Sequence, residues 1–172
     1  MDPRVALINM PFSNPIWPVV GLSLLKSGLA QHNIHARIYY LNLWFAEQMG
    51  FENYIKFIFS INIPKQSGEW IFSSAIWGTD AERDEKYIQE ILHEVALNPF
   101  DNRECNYFKF IEQYQACREQ VEPFLQRCMD TIPWQQYKLV GFTSTHHQQL
   151  ASLALAKRLR TISRFVYCFW WC

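Results

Sequence analysis

Lys138 to Arg160, KLVGFTSTHHQQLASLALAKRLR, carries a β-favouring run, a polar turn and a helical repeat in immediate succession. Leu139 to Thr143 is short and apolar. Leu150, Leu153, Leu155 and Leu159 then mark a change toward helical spacing, so the stretch reads as strand, turn, helix. Thr145 and Gln148 stand three residues apart, the spacing of a capping box, which predicts a helix beginning near His146. In an α/β sheet such a turn lies at the carboxyl end of a strand, where ligands bind. The helix start there offers free N–H groups and a positive dipole end to anionic or polar atoms.

Working outward, Arg4 to Asn9 is an apolar run rich in β-formers, the pattern of a strand buried on both faces. Met10 to Pro18 breaks it with Pro11, Pro15 and Pro18, which continue neither a ladder nor a helix interior. Val20, Leu22, Leu24, Leu25 and Leu29 recur at helical spacing, with Gly21 and Gly28 small enough to approach a sheet closely. Asn33 ends the helix and Ala36 to Leu41 is a second strand. Residues 4 to 41 are thus expected to form one βαβ unit with a right-handed crossover.

The next strand comes only at Leu139, and helical patterns fill the interval: Leu43 to Phe57, Trp70 to Trp77, Asp80 to Leu97, and Asn106 to Ile132 with an interruption at Pro123. Breaks are expected at Pro64 to Gly68, at Gly78-Thr79 and at Asn98 to Asn102. Asp80 is placed to cap, with Glu82, Asp84 and Glu85 in the turn that the helix dipole favours. The predicted architecture is a Rossmann-like parallel α/β sheet spanning residues 1–160, incomplete in its later strands, with a helical insertion over about residues 43–137.

With 49% hydrophobic and 16% aromatic residues in 172, the chain suits one domain with a substantial core and not a disordered one. Sixteen basic residues balance sixteen acidic ones, which gives no electrostatic reason to expect nucleic acid or an anionic membrane as partner. No apolar run is long enough for a bilayer and no signal peptide opens the chain, so a cytoplasmic location is expected. The five cysteines, Cys105, Cys117, Cys128, Cys168 and Cys172, read as reduced thiols. Neither a G-x-G-x-x-G after the first strand nor a G-x-x-x-x-G-K-[ST] is present, which disfavours dinucleotide and P-loop nucleotide binding. A nucleophile elbow and a zinc-type spacing are likewise missing.

Several blocks in order, MPFSNP, GLSLLKSGLA, YLNLWFAEQMG, GEWIFSSAIWG and VGFTSTHHQQLASLALAKRLR, closely resemble the N-terminal half of the radical SAM maturases of ribosomally made peptides. More narrowly, the chain is similar to their cobalamin-binding C-methyltransferase branch. The resemblance covers roughly residues 4 to 160. It implies a domain that holds cobalamin, followed in the family by a barrel that carries S-adenosylmethionine and a 4Fe-4S cluster on a C-x-x-x-C-x-x-C motif. Together these methylate unactivated carbon in a precursor peptide. Here Cys168 and Cys172 have the first spacing of that motif but no third cysteine, so the fragment alone is expected to be inactive, with no catalytic residue and no metal ligand of its own.

The expected cofactor-binding residues are Asn9, Met10, Pro11 and Phe12 after the first strand and Thr143, Ser144, Thr145 and His146 after the third. The two groups become neighbours if those strands adjoin. Each has a plainer alternative: loop packing for the first group, capping for Ser144 and Thr145, and an exposed helix start for His146 and His147. The Asp-x-His-x-x-Gly loop that presents a lower cobalt ligand in other cobalamin modules reads Asn9-Met10-Pro11-Phe12-Ser13-Asn14, so cobalamin is expected without histidine on cobalt. Trp44, Phe45, Trp70, Phe72 and Trp77 read as core, and Glu47 and Glu69 as isolated carboxylates. A competing expectation is a stand-alone peptide- or protein-interaction module that binds no corrin.

Residues 161–172 are expected to be an aberrant, frameshifted tail. In the family this helix is followed by a proline-containing turn and a strand ending Gly-Gly-Ala-Asn. Trp170-Trp171-Cys172 requires TGGTGGTG followed by T or C, and reading one nucleotide later gives Gly-Gly-Ala or Gly-Gly-Val. The alternative is a genuine terminal strand.

Overall fold

The computed structural model describes residues 5–60, 65–96, 107–162 and 166–170. The expected strand start at Arg4, Pro64, the break at Asn98 to Asn102, Cys105 and Cys172 lie outside the described residues.

Four strands, β1 (Val5–Asn9), β2 (Ala36–Tyr40), β3 (Leu139–Thr143) and β4 (Val166–Trp170), form an all-parallel sheet in the order β2-β1-β3-β4. β1 is buried along its whole length, as its unbroken apolar run requires at the centre of a two-sided sheet. β2 lies at an edge, and only Tyr39 is fully buried in it. The tail read as aberrant supplies β4, paired with β3 in register from Leu139↔Val166 to Thr143↔Trp170. Pairing uses backbone groups and β-propensity, so it is independent of the reading frame from which those residues came.

Helix α1 (Val20–Gln31) joins β1 to β2 and packs on the face of Val5 and Leu7; it ends where Asn33 takes a left-handed φ of 57°. Gly28 has no neighbour that a Cβ would touch, so the close approach to a sheet expected of it is absent. Helix α9 (Gln149–Leu159) follows β3 and packs on the opposite face, with Ala6, Ile8, Val140 and Phe142. The chain therefore winds one way from β1 to β2 and the other way from β1 to β3, which makes the β1/β3 gap the topological switch point.

The interval between β2 and β3 is helical, as expected, in the segments α2 (Leu41–Met49), α3 (Phe51–Ser60), α4 (Ser67–Trp77), α5 (Ala81–Tyr87), α6 (His93–Ala96), α7 (Tyr107–Glu119) and α8 (Val121–Thr131), with a π turn at Ile88–Leu92 joining α5 to α6. The expected single helix Leu43 to Phe57 is two, because Gly50 adopts a φ of 83° that only glycine takes without strain. The interruption expected at Pro123 falls at Gln120, and Pro123 sits in the first turn of α8, where a missing N–H costs nothing. Asp80 caps α5 by accepting from the Arg83 N–H at 3.0 Å.

These helices share one aromatic core with the sheet. Phe12 reaches from the loop after β1 to Phe45, Phe57 and Phe72 with centroids 5.2–5.9 Å away, and Phe45 meets Phe124 at 4.9 Å. A clasp ties α4, α5 and α7 together. The Arg118 guanidinium donates to both Asp84 oxygens at 2.8 Å and lies 4.2 Å above the Trp70 ring, which stacks on Tyr87. Trp77, expected in the core, is 62% exposed.

Candidate functional site at the carboxyl edge of the sheet

Asn9 ends β1 and Thr143 ends β3, and the pairing of these strands brings both side chains to the switch point. Thr143 Oγ1 donates to Asn9 Oδ1 at 3.2 Å, and Gln148 Nε2 donates to the same oxygen at 3.1 Å. Gln148 Nε2 also donates to the Met10 carbonyl at 2.6 Å, while its Oε1 accepts from the Thr145 N–H at 3.3 Å and the Thr145 hydroxyl at 2.6 Å. The Met10 carbonyl accepts only, so it fixes which end of the Gln148 amide faces β1. That in turn fixes Asn9 with its oxygen toward Gln148. Asn9 Nδ2 is left buried without a partner among the described residues, a donor at the ligand end of the sheet.

The capping box is half formed. Gln148 reaches back to the Thr145 N–H as expected, but α9 begins at Gln149, three residues beyond His146, and Gln148 itself is the N-cap. The N–H groups expected to be free for a ligand are also taken. Glu69 of α4 accepts from the Gln149 N–H at 3.0 Å and the Leu150 N–H at 2.7 Å, with the His147 backbone as a further donor. The anion at this helix start belongs to the protein. Burial raises the Glu69 pKa despite these donors, which act to lower it. Glu69, read from sequence as isolated, is thus the cap of a helix that begins 80 residues later. Glu47 is paired as well, with Arg127 at 2.7 Å.

The expected site residues divide sharply. Met10 and Phe12 are core residues and Pro11 is buried beside them. The side chains of these three are thus packed into the loop and core, while the Met10 carbonyl accepts from Gln148. Thr143 and Ser144 are buried, Thr145 is half-buried and His146 is exposed. His147, expected as an exposed helix start, is instead 5% exposed, with a left-handed φ of 65° and neither ring nitrogen partnered among the described residues. Burial pushes its pKa down to about 4, so the ring is neutral at physiological pH. It fits only because residue 68 is glycine. A Cβ there would stand 2.7 Å from the His147 Cβ and Cγ.

Gln148, Gly68 and Glu69 are not among the expected site residues, and His147 is weighed beside His146 but expected to be exposed. Gln148 had a signal as the second member of the capping box, and Gly68 had none as a site residue. No group of three or more metal-ligating side chains occurs among the described residues, and no helix there is long and apolar enough to cross a membrane. Comparisons of the chain with protein-family models, curated proteins and solved structures return no match.

Proposed function

We propose that this chain is the cobalamin-binding N-terminal part of a radical SAM C-methyltransferase that modifies a ribosomally made peptide. One observation carries the reading beside the sequence resemblance: a buried, orientation-fixed and unpartnered donor, Asn9 Nδ2, at the switch point of a parallel sheet. A corrin carries amide carbonyls at its rim, and such an acceptor would satisfy that donor once the side chains that cover it move aside. Thr145 and His146, which reach the surface beside it, supply further polar contacts. Met10 and Phe12 are buried in the core, and the corrin of this proposal is bound without histidine on its metal.

Cobalamin would supply the methyl-carrying cobalt; the cluster and S-adenosylmethionine belong to the proposed following barrel. The residues described here would bind and orient the cofactor. Gln148 holds the ends of β1 and β3 together, Asn9 presents its donor, and Glu69 and Gly68 fix the turn that carries Thr145 and His146.

Titration with hydroxocobalamin, followed by its visible spectrum, tests the reading. Saturable one-to-one binding is expected, weakened about tenfold by Asn9→Leu, the loss of roughly one hydrogen bond to a buried group. Absence of saturable binding at high micromolar cofactor rejects the proposal. Equal affinity in a folded Asn9→Leu variant removes Asn9 from the site.

A further inference from the structure

Helix α1 is apolar on two opposite faces. Leu22 is buried on the sheet, with Val19 and Leu29 packed beside it. Val20 and Leu24, each two residues from Leu22, stand about 160° round the helix from it, on the solvent side, and both are exposed. The segment before the helix extends this outer stripe with Ile16 and with Trp17, which is 70% exposed. A helix that is apolar all round is ordinarily covered on every side, whereas the outer stripe of α1 faces solvent in the single chain.

The extent of the stripe points to a protein surface as its cover. The exposed fractions of Ile16, Trp17, Val20, Leu24 and Leu25 leave on the order of 600 Å² of surface along this helix, as much as the largest apolar patch of an ordinary monomer and near the roughly 800 Å² per partner of a stable interface. The stripe carries no charge. Lys26 is the one charged residue of α1, and it lies about 160° round the helix from Leu24. An anionic lipid surface draws on basic side chains flanking the apolar ones, and a charged protein partner draws on the opposite charge. Ile16, Trp17, Val20 and Leu24 offer neither.

The order of side-chain sizes selects a second copy of this chain. About Leu24 the stripe is complementary to itself read backwards: Val20 is matched by Gly28, Gly21 by Ser27 and Trp17 by Gln31. Two copies of α1 that cross antiparallel at Leu24 therefore set a larger side chain against a smaller one along the contact. Gly28 has the space for this, because no described residue lies within 4 Å of the position its Cβ would take. Its backbone is helical, so no turn requires glycine there, and glycine costs a helix about 1 kcal/mol relative to alanine. Nothing within the chain accounts for that cost, and a neighbour from outside it does.

We infer that the chain forms a two-fold homodimer through α1, the two helices antiparallel and crossing at Leu24, with Val20 of each copy seated over Gly28 of the other. The interface lies on the thinly covered face of the sheet and does not depend on the corrin reading, so it is tested without cobalamin.

Sedimentation velocity of the full chain, from low to high micromolar concentration, should show a reversible passage from one chain mass to two. Leu24→Glu places two carboxylates against each other on the two-fold axis and should leave a monomer throughout. Leu24→Lys should do the same, and an equimolar mixture of the two variants should recover the dimer. Gly28→Leu starts from an open position and raises helix propensity, so its melting temperature at dilutions where both proteins are monomeric should hold or rise, while dimerisation weakens at least tenfold. A wild-type chain that stays monomeric, a Gly28→Leu variant that dimerises as wild type does, or a mixture of the two Leu24 variants that stays monomeric overturns the inference. Flotation of a monomeric wild type with phosphatidylglycerol vesicles also overturns it and assigns the stripe to a lipid surface.

Discussion

The two faces of the sheet are built to different standards. On one, Ala6, Ile8, Tyr39, Val140 and Phe142 disappear beneath α9 and the helical insertion, in a core that runs through Phe45, Phe72, Phe124 and Trp134. On the other, among the described residues, α1 is the helix that packs, and the buried apolar residues there are Val5, Leu7 and Leu22. Val20 and Leu24 of the same helix remain 60% and 68% exposed, beside Ile16 and Trp17. The difference shows that the insertion is the second layer of the domain. Remove it and, among the described residues, α9 would be left to cover that face of β1.

The sharpest way to break that comparison is to cut one large side chain from each face. Phe45→Ala should lower the unfolding free energy by about 3–5 kcal/mol, since its ring is fully buried against four other aromatic rings. Leu22→Ala should cost about 2 kcal/mol, the low end for a buried leucine, because the thin layer around it can collapse into the space. Urea unfolding of both variants measures the difference, and equal losses would mean that the faces bear equal weight.

The thick face also sets the pH behaviour. His147 is held near a pKa of about 4 against an ordinary 6.5, so the unfolded chain takes up its proton first as the pH falls. Its stabilising contribution is complete above pH 6.5 and is lost between there and about pH 4, up to about 3 kcal/mol in all. Glu69 has the opposite sign. Its folded pKa is raised, so its contribution is complete below the ordinary carboxylate value and lost as the pH rises through the elevated one. Unfolding free energies measured across the acid range should therefore flatten on the acid side in His147→Asn, a residue that accepts the left-handed backbone. Glu69→Gln should remove the fall toward neutral pH. An unchanged acid limb in His147→Asn would show that the ring is solvated.

The smallest effect is expected from one added methyl group. Gly68→Ala drives a Cβ into the His147 ring and should cost about 1–3 kcal/mol through displacement of the turn, readable as a lower urea midpoint. A midpoint equal to wild type would mean that His147 moves freely, and the contrast in packing would soften at the sheet edge.

Local signals found the skeleton of this fold. An uninterrupted apolar run marked β1 as central, the change of period after Thr143 marked β3 and α9, and the length between Leu41 and Leu139 marked the insertion. The site was harder to read, because its partners are distant in sequence. Thr143 and Asn9 were placed together only on the condition that their strands adjoin, a fact of topology. Glu69 and Gly68 lie in a helix whose pattern says nothing about α9, so neither the cap nor the space for His147 could be read locally. The burial of Met10 and Phe12 was illegible for a related reason. An apolar residue in a proline-rich loop looks the same whether it faces a ligand or, as here, the aromatic core.

The hydrogen bond between Thr143 and Asn9 joins residues 134 positions apart, at the middle of the sheet. β1 and β2, by contrast, meet across a single helix. The longer closure costs only about 1.2 kcal/mol more at equilibrium, for roughly two doublings of loop length. Its larger effect falls on rate, because that entropy is lost before any β1–β3 contact compensates for it. An insertion that has already collapsed shortens the effective distance between the two strands. The helices that cover the finished sheet are thus also what brings its two central strands within reach of one another, and the geometric centre of this domain is among the last of its parts to close.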